Sequence, residues 1–171
     1  LKDGEQVKMS TRKANFVTLD ELINEVGADV VRYFFIMRGM NTHLNFDMDL
    51  ARDESDENPV YYLQYAHARL CNILKHAESM GNELSGNADV TFLKLKSEIQ
   101  LIKNLMEFPT IIEKSHENLE PQSIANYLQD LAGKFHRYYA KERVVTNDKN
   151  KTSARLILIK VLIIVLRNGL L

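Results

Sequence analysis

Cysteine is nearly absent from this chain, and the single Cys71 in 171 residues excludes an internal disulfide and a cysteine-based zinc site. The residue reads as a helix filler, in keeping with a reducing, cytoplasmic setting. An excess of either charge is also missing. Twenty-two basic against twenty-three acidic side chains leave a net charge of -1, which argues against a protein that coats DNA or RNA non-specifically by counterion release. Any contact with RNA must be local, and no DNA partner is expected. There is no long hydrophobic run either: the eleven residues from Leu156 to Leu166 are interrupted by Lys160 and fall short of the ~20 that a bilayer span needs, so no membrane contact is expected. No basic-then-apolar leader opens the chain, which starts LKDGEQVKMS. That start, and an end on Leu170-Leu171 just after Gly169, read as a piece cut from a longer protein. The acidic run of Asp47, Asp49, Asp53, Glu54, Asp56 and Glu57 lacks the glycine turn and ligand spacing of a calcium loop, so no metal is expected. What remains is an ordinary globular composition, 45% hydrophobic and 26% charged, long enough for a sizeable core.

The most informative stretch present is Asn58 to Gly81, NPVYYLQYAHARLCNILKHAESMG. Asn58 suits the cap, Pro59 the first helical position, and Gly81 the left-handed residue that closes a helix. A helix of about 33 Å follows at roughly 1.5 Å per residue. Leu63, Ala66, Leu70, Ile73, Leu74 and Ala77 fall on one side and form its core stripe. The opposite arc gathers Tyr61, Tyr65, Arg69 and Asn72, with Tyr62 and His76 at its edge. Rings alternating with Arg, Asn and His suit unstacked RNA bases, which offer a π-face and polar edges. A tyrosine pair four residues apart also serves simply to pack against a neighbouring helix.

Along the rest of the chain, Glu5 to Val17 reads as a basic loop with Lys8, Arg12 and Lys13. Thr18 and Glu21 form a capping box for a short helix ending at Gly27, and Asp29 is expected to cap a second helix with Val30, Phe34 and Met37 inside. Leu44, Phe46, Met48 and Leu50 alternate with polar residues, which predicts an extended segment before a solvated acidic hinge. Helical spacing resumes from Phe92 to Phe108, with Pro109 expected to kink or end that helix before a shorter one. A third major helix is expected from Gln122 to Val145, with Ile124, Leu128, Leu131, Phe135 and Tyr138 buried and His136, Tyr139 and Arg143 at one margin. A final helix, capped by Thr152 or Ser153, is apolar nearly all round and is expected to be the most buried. The fold class is mainly α: an antiparallel helical bundle preceded by a short loop and helix segment.

Two stretches carry a family resemblance: Lys8-Met9-Ser10-Thr11-Arg12 followed by GADVVRYFF, and ENPVYYLQYAHAR leading to DLAGKFHRYY. In this order and spacing they resemble the C-terminal part of bacterial arginyl-tRNA synthetases, class I ligases, over almost the whole chain. The resemblance implies that residues 1–53 are the tail of a catalytic domain and residues 54–171 an α-helical anticodon-binding domain. It implies that Lys8, Met9, Ser10 and Arg12 sit on the mobile loop that closes over ATP, used with Mg in the complete enzyme. A lysine on a closing loop can meet the negative charge that gathers on the phosphates in the transition state. Here Lys8 matches the motif's first lysine, while Thr11 stands where the second lysine usually does. It implies, further, that arginine-accepting tRNA and the remainder of the catalytic domain are the partners. Tyr61, Tyr65, Arg69 and Asn72, with His136, Tyr139 and Arg143, are the residues expected to contact the anticodon arm. The family's HIGH-type sequence is absent from this chain, so it is not expected to activate arginine alone. The rival readings are a helical bundle that binds a protein partner through its tyrosine face, and the corresponding part of another class I synthetase, for cysteine or methionine.

Overall fold

The computed structural model describes residues 17–39 and 41–171, and among these all regular structure is helical. The basic loop with Lys8, Met9, Ser10 and Arg12 lies outside the described residues. The first helix, α1 (Leu19–Val26), carries the expected capping box: Thr18 Oγ1 accepts from the Glu21 amide at 3.2 Å, and the Glu21 carboxylate accepts from the Thr18 amide at 2.8 Å. The Thr18 backbone amide, and then the Thr18 hydroxyl, hold the Glu21 carboxyl below its ordinary pKa. Helix α2 (Ala28–Ile36) differs at its start. Gly27, at φ 88°, is both the end of α1 and the cap of α2, which leaves Asp29 in the first turn rather than at the cap. Val31 and Phe34 are buried, with Val30 and Met37 half-buried.

The expected extended segment is in part helical. Asp47 Oδ1 accepts from the amides of Asp49 and Leu50, both at 3.1 Å, and this cap starts α3 (Met48–Arg52), which buries Met48 and Ala51 one turn apart. Nor is the acidic stretch a free hinge. Asn58, 4% exposed, donates to the carbonyls of Ala51 at 3.2 Å and Asp53 at 2.8 Å while its own oxygen caps Val60 and Tyr61. One side chain therefore closes the turn after α3 and starts α4 (Pro59–Ser79). Gly81 takes the left-handed conformation at φ 73° beyond the end of that helix.

A 3₁₀ turn at Val90–Phe92 leads to α5 (Lys96–Asn118), which continues past Pro109 rather than ending there. Pro109 is on the exposed side, where water can satisfy the carbonyl that proline leaves without an intrahelical donor. Helix α6 (Gln122–Tyr139) ends six residues before the expected Val145, and α7 (Lys149–Leu170) starts earlier than expected, on an Asp148 cap. Thr152 is buried inside α7 and bonds Thr146 across the α6–α7 loop, its hydroxyl accepting from the Thr146 amide at 2.9 Å. Gly169 does not terminate α7 but lies within it, and a Cβ there would meet Leu128 Cδ2 at 2.8 Å. Glycine therefore lets α7 approach α6 closely.

The four long helices form the bundle, with α4 against α6 and α7 and α5 completing it against the same two. The core runs through Leu63, Leu70, Leu101, Leu128, Leu131, Phe135, Ile159, Leu162 and Leu166, all but sealed from solvent. Helix α7 is less enclosed than its composition predicts, since Val161 and Ile164 remain 37% and 43% exposed on its outer side. The short helices dock through Tyr33, whose hydroxyl donates to the Ala125 carbonyl at 3.2 Å and accepts from Gln129 at 3.1 Å. Gln129 also donates to the Pro59 carbonyl at 2.6 Å, so one amide joins α2, α4 and α6.

Candidate nucleic-acid interface

The outward arc of α4 and the last two turns of α6 lie side by side because their apolar stripes share one core. Tyr61 and Tyr65, one turn apart, stack with centroids 6.2 Å apart and planes 6° from parallel. His136 continues the stack from α6, 5.7 Å from the Tyr65 ring, and also lies 4.8 Å from Tyr62. The Arg69 guanidinium sits 4.5 Å from the Tyr65 centroid and 5.5 Å from that of Tyr139, and it donates to the Tyr65 hydroxyl. One cation thus bridges the ring systems of two helices. Tyr65 and Tyr139 remain 43% and 36% exposed, so the cluster they share with Arg69 presents ring edges to solvent.

Beyond this platform opens a groove of about 1360 Å³, floored by α4 from Tyr65 to His76 and walled on the far side by Tyr139 and the loop after α6. Arg69, Asn72, Tyr139 and Arg143 all line it. Tyr61 and His136 are not in its lining; they back the ring stack that ends at its mouth. The seven residues singled out on α4 and α6 thus fall into one connected surface, five in the groove and two behind it. The sequence reading missed the rest of the far wall. Lys141, Val145, Thr146, Asn147 and Lys149 line it too, because the chain leaves the helix after Tyr139. The cluster of Lys141, Arg143 and Lys149 was the available signal, divided by reading Lys141 and Arg143 as helix and Lys149 as loop. Four cations, Arg69, Lys141, Arg143 and Lys149, therefore face one groove of a chain whose net charge is -1, while the groove's Glu142 carboxylate is 3.3 Å from the Arg155 guanidinium.

Burial, and then the charge of Arg69, hold the His136 imidazole below its ordinary pKa, against the opposing pull of Asp56 and a backbone bond with Tyr62. At neutral pH the ring in the stack is therefore uncharged, and it does not repel Arg69. Among the described residues, no group of three or more His, Cys, Asp or Glu side chains is placed to hold a metal ion, and no helix is long and apolar enough to cross a membrane.

Stacked rings beside a locally cationic groove, carried on a helical bundle, are features that single-stranded nucleic acid can engage. The chain belongs to the DALR anticodon binding domain family, whose model matches residues 63–171. It is 47% identical over 172 residues to an arginine–tRNA ligase of Desulforamulus reducens and 49% identical over 171 residues to one of Desulfotalea psychrophila. Each match covers 99% of this chain and 31% of the relative, so the chain spans about a third of the length of these curated relatives. Two solved structures named as arginyl-tRNA synthetases are similar in fold. That from Campylobacter jejuni gives a TM-score of 0.80 at 29% identity over 99% of this chain and 37% of its own. That from Thermus thermophilus gives 0.72 at 25% identity over 94% and 27%. The resemblance read from the sequence motifs and the helical-bundle expectation are both borne out.

Proposed function

We propose that this chain is the part of an arginine–tRNA ligase that grips the anticodon arm of arginine-accepting tRNA, with residues 1–53 belonging to the catalytic domain and 54–171 to the anticodon-binding domain. The observation that carries this reading is the continuous surface from the Tyr61–Tyr65–His136 stack through Arg69 and Tyr139 into the groove. Unstacked loop bases can pack against the ends and exposed edges of this ring cluster. Asn72 offers a donor and an acceptor to a base edge, and Lys141, Arg143 and Lys149 meet the phosphates of the same strand. Family membership supports the same partner.

In the complete ligase, ATP and arginine are substrates and the tRNA is the acceptor. Lys8, Met9, Ser10 and Arg12 would be the residues that close over ATP, used with Mg, with Lys8 and Arg12 offering positive charge to its phosphates, on the strength of the KMSTR sequence alone. The docking of Tyr33 onto α4 and α6 gives the catalytic-side helices a fixed seat on the RNA-contacting bundle. The place of action is the cytoplasm, where tRNA is charged.

Substituting Tyr61→Ala and Tyr65→Ala in the complete ligase tests the reading by the affinity for arginine tRNA. A loss of about 1 to 3 kcal/mol per stack is expected, with the fold retained. Unchanged affinity in a folded double variant would remove the tyrosine face from the interface and favour a protein partner instead.

A further inference from the structure

The far wall of the groove has no regular secondary structure: residues 140–148 connect α6 to α7 as turn and loop. Its near end is held by backbone bonds from Lys141 and Glu142 to the Tyr138 carbonyl, at 3.1 and 2.9 Å. Its far end is held by Thr152, which bonds the Thr146 backbone in both directions. Between them lies Arg143, exposed toward the groove. The hydrogen-bond anchors to this middle section come from beneath, from Arg155 on α7.

Arg155 is 1% exposed and points three ways. Its Nε donates to Glu98 Oε1 on α5 at 2.7 Å, one terminal nitrogen donates to the Arg143 carbonyl, and the other reaches the Glu142 carboxylate at 3.3 Å. Glu98 is fully buried and its second oxygen accepts from the Leu95 amide at 2.9 Å, so the carboxylate that aims Arg155 is itself fixed at the start of α5. The Tyr138 ring lies 6.0 Å from the guanidinium and Val144 is packed into the core beside it. Only a planar fork can pair with Glu98 and bond the loop at the same time; a lysine at 155 has charge but no second arm.

We propose that Arg155 is a positioning residue for RNA binding: from the core, its fork fixes the backbone at Glu142 and Arg143 so that the Arg143 side chain stands in the groove. The inference rests on the reading of that groove as the RNA-contacting site. A buried ion pair is in general a poor source of stability, because desolvation offsets the attraction, and replacing it with neutral groups of similar size is often tolerated. Its presence at this place is accounted for by the loop that it holds.

The test uses the complete ligase carrying Glu98→Gln with Arg155→Met. Gln retains the bond to the Leu95 amide, no unpaired charge is left buried, and the net charge is unchanged. The variant is expected to keep its helix content and to bind arginine tRNA about tenfold more weakly, the loss of one charge-assisted contact. The slope of log K against log salt becomes shallower by about one, the loss of one phosphate contact. Adding Arg143→Ala should then cost nothing further, although it weakens binding in the parent, while Tyr65→Ala costs the same in both backgrounds. Arg155→Lys is the second variant, expected to fold with its charge paired to Glu98 and to show the same loss of coupling to Arg143. A folded variant with native affinity and salt slope, or an Arg143→Ala cost equal in all backgrounds, would overturn the proposal and leave Arg155 a purely structural residue. If neither Tyr65→Ala nor Arg143→Ala weakens binding by the parent, the groove reading itself fails and the inference falls with it.

Discussion

The short helices α1–α3 and the long helices α4–α7 are held by different means. In the first region, caps do much of the work: Thr18 with Glu21, Gly27 and Asp47 each start or stop a helix within a few residues. The apolar contacts are thin, with Leu22, Val31 and Met48 in one cluster and Phe34, Ala51 and Val60 in another. The bundle instead buries twenty-one residues in one cluster, so its helices depend on partners far away in sequence. The difference teaches where rigidity is placed. The stacked rings and the groove stand on the heavily buried bundle, while the segment of short helices is joined to it through few contacts and one Tyr33–Gln129 clasp. Local opening follows buried contact density, so the two regions should open at different free energies.

The largest expected effect comes from core truncation. Phe135→Ala, at a fully buried site, should cost about 3 to 5 kcal/mol in denaturant unfolding, whereas Met48→Ala in the thin cluster should cost about 2. Hydrogen exchange sharpens the contrast. Amides of α1–α3 should exchange well before those of α6 and α7, and uniform protection across both regions would break the comparison. Next in size is Gly169→Ala. Its methyl group would stand 2.8 Å from Leu128, and forcing α6 and α7 apart should cost about 1 to 3 kcal/mol by thermal unfolding. An unchanged midpoint would mean that Leu128 simply moves aside.

The smallest effect is on pH dependence. His136 has its folded-state pKa below the ordinary value of about 6.5, so the unfolded chain takes up the proton first as pH falls. Its contribution is therefore fully present above about pH 6.5, declines as pH drops from there toward the folded pKa, and is constant below that. The imidazole is only half-buried, so the change is softened by solvent screening. Comparing thermal midpoints at pH 8 and 5.5 for the parent and His136→Gln checks it: the parent should lose more on acidification. An equal loss in the two would place the acid sensitivity elsewhere.

Features set by neighbours in sequence were legible before the structure. The ends of α4 followed from Asn58, Pro59 and Gly81, and the arc of Tyr61, Tyr65, Arg69 and Asn72 followed from helical stepping once those ends were fixed. The features that escaped are set at a distance or by competing local signals. The alternation of Leu44, Phe46, Met48 and Leu50 predicted an extended segment because one Asp47 cap outweighed it only in the folded turn. Pro109 reads as a breaker, but it falls on the wet side of a helix held by the bundle along its length. The end of α6 at Tyr139 depends on burial of Val144 and on Arg155, twelve residues beyond Arg143, and Arg155 is in turn aimed by Glu98, fifty-seven residues before it. No local pattern marks that triad. The backbone path of the groove's far wall was illegible for the same reason, although its cations Lys141, Arg143 and Lys149 stand close together in the sequence.

The most direct measurement is the affinity of the complete ligase for arginine tRNA beside a transcript changed only in its anticodon loop, at two salt concentrations, with the parent and Tyr65→Ala. Binding by the parent should be salt-sensitive and should weaken with the changed loop, and Tyr65→Ala should erase most of that discrimination. If Tyr65→Ala instead discriminates between the two transcripts as well as the parent does, the stacked face of α4 is not where the anticodon arm is read.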